Sequence, residues 1–319
     1  MMQVHRNLEQ LPPFKNAVIT IGTFDGVHLG HQQIIRQLKE TAIENDGETV
    51  IITFHPHPRK IVGSSSKDIA LLNTLDEKIA LLNKAGIHHL VVVPFTEDFA
   101  NLSADAYCKD FLYRYFKPKT VIIGYDHRFG KNRSGDYHLL EKMGIELGFE
   151  VKEISEQILN AVTVSSTRIR NALMNHDINT ANQFLGYRYF FEGIVVKGNQ
   201  LGRTIGFATA NLEIEVSEKL IPADGVYAVG VIIKNHPKLP PKQMHDGMMN
   251  IGIRPTVDGT KRAIEVHIFN FNEDIYDYTI QVCMWNYLRG EVKFNNIEIL
   301  QQQLRLDAEK AKEEMANNR

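Results

Sequence analysis

Ala17-Val18-Ile19-Thr20-Ile21-Gly22-Thr23-Phe24-Asp25-Gly26-Val27-His28-Leu29-Gly30-His31 decides how the first half of the chain folds. The near-continuous apolar run Ala17 to Gly22 reads as a strand buried on both faces, as a parallel sheet requires. Glycines at 22, 26 and 30 and histidines at 28 and 31 follow at once. Then Ile34, Ile35, Leu38 and Ala42 fall on one face of a helix predicted over Gln32 to Ile43. Strand, glycine-rich turn and helix in immediate succession begin a βαβ unit.

The pattern continues outward. Glu48 to Phe54, His89 to Phe95 and Thr120 to Tyr125 read as further buried strands, and Leu75 to Lys84 as a helix opened by the capping box Thr74 to Glu77. The expectation is a right-handed parallel α/β sheet with ligands at the carboxyl ends of its strands. After about Leu173 the period changes to two: Tyr189 to Lys197, Val226 to Ile233, Ile264 to Phe271 and Ile280 to Met284 predict a mainly antiparallel β half. Asn235 to Gly247, with Pro237, Pro240 and Pro241, reads as an exposed hairpin loop, and Asn250 to Thr256 as a Gly and Pro turn beside Arg254. A closing helix, Ile297 to Met315, is expected to start at Asn295 and to dock through Ile299, Leu300 and Leu304. The boundary falls within Asn175 to Tyr187, giving domains 1–180 and 181–319.

Composition agrees with two globular cores: 319 residues, 43% hydrophobic and 23% charged. Lys plus Arg total 36 against 38 Asp plus Glu, so no bulk charge favours nucleic acid. The start has no apolar leader and no later run spans a membrane, so a soluble, cytoplasmic protein is expected. Cys108 and Cys283 read as core thiols of a reducing compartment.

Four loops at the predicted carboxyl edge carry the first candidate chemistry. The helix starting after Gly30 offers free N–H groups to phosphate, and His28 and His31, three apart, share a face. Either histidine alone would be an ordinary cap or surface residue; three glycines in this context favour a polyphosphate site. Ser165-Ser166-Thr167-Arg168-Ile169-Arg170 opens another helix with hydroxyls and a guanidinium suited to phosphate, and is equally a well-capped helix when read alone. Thr53-Phe54-His55-Pro56-His57-Pro58 is a stiffened loop or a structural turn. Gly124 to Gly130, with Arg133 and Asp136 beyond, ends the fourth strand. The spacing is neither a Walker loop nor Gly-x-Gly-x-x-Gly.

The His-x-Gly-His element resembles the signature of the nucleotidylyltransferase superfamily. With the Ser-Ser-Thr-x-Ile-Arg segment, this half is similar to the FMN adenylyltransferase module of bacterial bifunctional riboflavin kinase/FAD synthetases, which implies a Rossmann-like fold. That resemblance implies ATP binding by Gly22, Phe24, Asp25, Gly26, His28, Gly30, His31, Asp126, Ser165, Ser166, Thr167 and Arg168. It gives His28, His31 and Arg168 the catalytic roles, and Asp126, His57 and Pro58 contacts to flavin. His127 departs from the family, which usually has phenylalanine there.

A second candidate site lies in Gly198 to Asn211. Thr209 and Asn211 alternate, so two neutral oxygens face one way and suit a magnesium ion carrying phosphate, although a chemistry-free glycine hairpin fits the stretch equally. In Ala263 to Phe269, Glu265 and His267 share the face opposite Ile264, Val266 and Ile268; Glu265 is a solvated strand residue or a base for an attacking hydroxyl. These stretches, with Gly225 to Val229 and Arg289 to Phe294, resemble in order the riboflavin kinase module of the same family, a β-barrel with a carboxy-terminal helix. The resemblance implies Mg2+ at Thr209 and Asn211, ATP also at Gly198 and Gly202, flavin at Arg203 and Arg289, and Glu265 as catalytic base. Ala208 replaces the family's usual proline.

The whole chain therefore predicts conversion of riboflavin to FMN and of FMN to FAD, with ATP as co-substrate. No nucleic acid, no membrane and a monomer or weak homo-oligomer are expected. The competing readings are a nucleotidylyltransferase for another phosphorylated acceptor, a non-catalytic flavin sensor, and an RNA-charging enzyme, against which the near-neutral charge counts.

Overall fold

The computed structural model describes residues 1–62, 70–125, 127–154, 164–198, 201–256 and 259–317. Contacts divide the chain into two compact units, Met1–Ser166 and Thr167–Arg319.

In the first unit six strands among the described residues form one parallel sheet in the order β1-β4-β3-β2-β5-β6. They are β1 (Gln3–His5), β2 (Val18–Ile21), β3 (Thr49–His55), β4 (His89–Pro94), β5 (Thr120–Gly124) and β6 (Glu150–Ile154). Successive side chains alternate between two buried layers. Ile19, Ile21, Val50, Ile52, Val121 and Ile123 meet Tyr107, Phe111 and Phe116 on one face. Val18, Ile51, Leu90 and Ile122 meet Ile35, Leu38 and Leu82 on the other. The helices covering that second face are α1 (Leu29–Glu44) and α3 (Leu75–Lys84), with α2 (Pro58–Val62) between them in sequence. The expected capping box is present: Thr74 Oγ1 accepts from Glu77 N at 3.2 Å and Glu77 returns a bond to Thr74 N at 2.9 Å.

Because β2 lies between β3 and β5, the chain winds outward one way and then returns to the other side of β2. The turn leaving β2 thus stands at the topological switch point, where open α/β sheets bind ligands. Two edge strands went unforeseen: β1 has three residues and β6 reads Glu-Val-Lys-Glu-Ile, without an apolar run. Helix α1 starts at Leu29, three residues before the expected Gln32, because His28 caps it. Cys108 and Cys283 are buried and unpaired, as expected, and burial pushes the Cys108 thiol up to about 12.

The second unit is a closed antiparallel barrel, β10-β11-β8-β7-β12-β9, with β9 pairing β10 to close it. Its strands are β7 (Phe190–Val196), β8 (Ala210–Glu213), β9 (Gly225–Ile233), β10 (Met244–Thr256), β11 (Gly259–Ile268) and β12 (Thr279–Arg289). The expected loop to Gly247 and turn over Asn250–Thr256 are corrected: β10 begins at Met244 and runs thirteen residues. The prolines at 240 and 241 stay in the connection before it, and Pro255 sits opposite Thr260 near the hairpin tip, where an absent N–H matters least. β12 outruns the expected Met284 because register shifts after Met284 and Tyr287 break its period of two.

The boundary segment Asn175 to Tyr187 is largely helical. Helix Ile178–Leu185 occupies it, capped by Asp177, whose Oδ1 accepts from Thr180 N at 3.1 Å, and ended by Gly186 at φ 74°. The closing helix runs Ile297–Asn317, and its cap is Asn296 rather than Asn295: Asn296 Oδ1 accepts from Ile299 N at 2.9 Å. Its docking face is Leu304, Ala308, Ala311 and Met315 against Val226, Ala228, Met248 and Trp285, whereas Ile299 is 47% exposed. Asp307 is buried on that face. Arg289 meets it with Nε at 2.9 Å and Nη2 at 2.7 Å, a bidentate pair joining helix to barrel.

Removing one partner of such a buried pair strands the other charge. Asp307→Ala should therefore cost about 3 kcal/mol in urea unfolding. A loss under ~1 kcal/mol would mean that the apolar face alone holds the helix.

Candidate active sites

In the first unit the turn after β2 is pinned from beneath. Gly22 N donates to Ile52 O at 3.0 Å, the last sheet bond before the chain departs. The Thr23 carbonyl then accepts from Lys78 Nζ at 2.7 Å and from Thr53 Oγ1 at 3.2 Å. Backbone φ is positive at Phe24 (48°), Gly26 (87°) and Val27 (37°), a conformation that L side chains resist and that surrounding contacts must impose. The Phe24 ring is buried against Gly22 and His31, with 4.9 Å between the Phe24 and His31 centroids. Buried Asp25 accepts from Leu72 N at 3.0 Å and Asn73 N at 3.3 Å, and its carbonyl accepts from Ser166 Oγ at 2.9 Å.

His28 and His31 do converge. His28 Nδ1 accepts from His31 N at 3.4 Å, and the rings stack with centroids 3.7 Å apart at 16°. Burial, then the neighbouring His28 and Lys78, hold the His31 pKa well below the usual imidazole value. Of the two options open in the sequence, charge or hydrogen bonding, His31 therefore offers hydrogen bonding at neutral pH. Its Nδ1 is buried without a hydrogen-bond partner among the described residues. Gly30 lies close under the His28 ring; a Cβ on it would stand 3.2 Å from that ring.

Ser165 precedes and Ser166 opens helix Ser166–Met174; Thr167 and Arg168 are exposed on its first turn and belong to the second unit. At the end of β3, His57 Nδ1 accepts from Arg59 N at 3.3 Å and Pro58 begins α2. Asp126 lies outside the described residues. His127 follows it, with its ring near-parallel to Phe129 at 6.0 Å, and Asp136 caps helix Tyr137–Leu147 through Leu139 N at 3.1 Å. Sequence reasoning missed Lys78. The signal was a lysine on the apolar face of α3, four residues before buried Leu82.

In the second unit, register builds the site. Asn211 of β8 and Asn250 of β10 stand directly opposite Glu265 of β11, on either side of it. Directly opposed residues share a face, so one row crosses three strands on the side away from buried Ile264 and Val266. Arg254 Nη2 lies 3.1 Å from Glu265 Oε2, and its Nη1 lies 3.2 Å from Glu291 Oε1, which also accepts from Asn250 Nδ2 at 3.1 Å. Burial works against the Arg254 charge, but Glu265 and Glu291 outweigh it and raise its pKa. Glu291 packs so closely on Gly252 that a Cβ there would sit 1.8 Å from Oε1. Asn250 and Glu291 were quoted in the sequence but given no role.

His267 donates Nδ1–H to Ala208 O at 2.7 Å, fixing the backbone beside Thr209. Burial lowers the His267 pKa, so the neutral ring makes this bond. Gly198 lies against Asn211; a Cβ would stand 2.1 Å from Asn211 Nδ2. A short helix, Leu201–Thr204, forms within the glycine stretch, holding Gly202 against Phe207 O and leaving Arg203 exposed. Arg289 is committed to Asp307 and to Gly290 O at 2.8 Å.

Among the described residues no helix is long and apolar enough to cross a membrane. The FAD synthetase family profile matches residues 12–168 and the riboflavin kinase profile residues 185–315. The bifunctional riboflavin kinase/FMN adenylyltransferase of Escherichia coli (strain K12) is 36% identical over 96% of this chain and 95% of its own length. That of Bacillus subtilis (strain 168) is 35% identical over 92% and 91%. A crystal structure of a macrolide-efflux protein from Streptococcus pneumoniae superposes with a TM-score of 0.85 at 29% identity, covering 98% of both chains. Both profiles, their order along the chain and the full-length relatives agree: the chain belongs to the bifunctional riboflavin kinase/FMN adenylyltransferase family.

Proposed function

We infer that the chain makes FAD from riboflavin in two ATP-dependent steps, phosphorylation to FMN and adenylylation of FMN. One observation carries the reading: the histidine pair at the switch point and the Asn211–Glu265–Asn250 row lie in different units, each with its own phosphate- or hydroxyl-directed groups. Adenylyl transfer is assigned to residues 1–180 and the kinase to residues 181–319.

In the kinase step Glu265 accepts the proton of the flavin's terminal ribityl hydroxyl as that oxygen attacks the γ-phosphorus of ATP, and ADP departs. Arg254 Nη2, 3.1 Å from Glu265 Oε2, orients that carboxyl group within the row. The hydroxyl of Thr209 and the amide oxygen of Asn211 are neutral, and no described cluster of three His, Cys, Asp or Glu side chains could hold a metal. That donor set fits a hard cation completing its shell with phosphate and water. Thr209 and Asn211 would hold Mg2+, which supplies charge compensation to the phosphates when bound. Gly198 and Gly202 let the loop approach ATP, and exposed Arg203, next to Gly202, is the cation for flavin.

In the adenylyl step an FMN phosphate oxygen attacks the α-phosphorus of ATP and pyrophosphate leaves, with no covalent enzyme intermediate. His28, His31, Ser166, Thr167 and Arg168 hold the phosphate oxygens, and neutral His31 does so by hydrogen bonding. His57 and Pro58 border the flavin. Small molecules suffice as partners, nucleic acid has no part, and a cytoplasmic monomer or weak homo-oligomer fits this chemistry.

His28→Ala combined with His31→Ala should cut FAD formation from FMN by at least ~100-fold while FMN formation from riboflavin persists. Retained FAD synthesis would remove the pair from its role. Glu265→Gln should lower riboflavin phosphorylation by roughly 100- to 10,000-fold, the range for a general base, and leave adenylylation of supplied FMN intact. Unchanged phosphorylation would exclude Glu265. Imidazole titration by NMR should place the His31 midpoint below 6.5, since a lowered pKa keeps the ring neutral as pH falls through that value. A midpoint at or above it would contradict the hydrogen-bonding role.

A further inference from the structure

Lys78 lies on the second turn of α3 and is 7% exposed. Its Nζ reaches the Thr23 carbonyl at 2.7 Å and Thr53 Oγ1 at 3.5 Å, while Thr53 Oγ1 itself donates to the same carbonyl at 3.2 Å. Thr53 thus already supplies that carbonyl with a neutral donor. A buried ammonium in addition is more than packing requires, because taking a lysine charge out of water is costly unless it acts on something. Among the described residues, the charged and titratable groups that act on it or on which it acts lie at the first site. Asp25, on the turn, attracts it; burial first, then the stacked His28 and last the positive charge of Lys78 lower the pKa of His31 on α1. Glu77, its neighbour on α3, is engaged with Thr74 N at 2.9 Å.

We propose that Lys78 is a positioning residue for adenylyl transfer: its buried ammonium clamps the Thr23 carbonyl and sets a fixed positive charge beneath the turn that receives polyphosphate. The proposal rests on the reading of that turn given above. Burial lowers the Lys78 pKa to about 8, against the pull of Asp25. The charged form exists below that value and is lost as pH rises through it, so the clamp weakens on the alkaline side.

The experiment is the pH profile of kcat/KM for FAD formation from FMN in the full chain, wild type against Lys78→Met and Lys78→Arg. The wild type should lose activity with a midpoint near 8. Lys78→Met should be roughly 10- to 100-fold slower at neutral pH, the scale of a lost charged hydrogen bond, and should show no such limb. Lys78→Arg should recover much of the rate and lack the limb, because arginine stays protonated there. A Lys78→Met enzyme within twofold of wild type, or an alkaline limb unchanged in both variants, would overturn the proposal. Wild-type protein carrying 15N-labelled lysine gives a test independent of variant folding: the Lys78 resonance should titrate near 8 and shift upward when pyrophosphate is added. No response to pyrophosphate would overturn it too. Failure of the wild type to form FAD at all would instead refute the site reading beneath it.

Discussion

Burial of both faces of the parallel sheet is the constraint on which the first site depends. Central strands buried on both faces can expose polar chemistry only at their ends. The reversal of strand order around β2 selects one of those ends, and the turn from Gly22 to His31 fills it. The positive φ of Phe24, Gly26 and Val27 is held there by buried bonds to Thr23 and Asp25 and by the Phe24 ring. A rigid scaffold thus keeps a strained turn and two stacked imidazoles in place before any ligand arrives.

The second unit reaches the same result through register. Antiparallel pairing puts Asn211, Glu265 and Asn250 in one line, and a slip of a single residue in β11 would turn Glu265 out of it and into the barrel. Arg254 then links Glu265 to Glu291, just beyond β12. The closing helix is tied to that same end of β12 through Asp307 and Arg289. A stability interaction and a site interaction therefore meet within three residues of chain.

Much of this was legible in the sequence, for identifiable reasons. Continuous apolar runs announced β2 to β5, the Thr74 to Glu77 box announced α3, and alternation placed Glu265 and His267 on the outer face of β11. The misses also have causes. β1 and β6 lie at sheet edges, where partial exposure removes the apolar signal. In β10 the Gly252 and Pro255 that suggest a turn are accommodated by close packing of Glu291 and by the hairpin end. Helix Ile178–Leu185 has an Asp cap and a Gly stop, both readable, yet its polar start masked the period. Lys78 was hidden because its role comes from α3 lying over the turn after β2, a contact between residues 55 apart in sequence.

The central claim is that one chain carries both activities in sequence. A time course with riboflavin, ATP and Mg2+, resolving riboflavin, FMN and FAD by chromatography, tests it most directly. FMN should appear first and FAD after it. Tight flavin binding with neither product formed would contradict it.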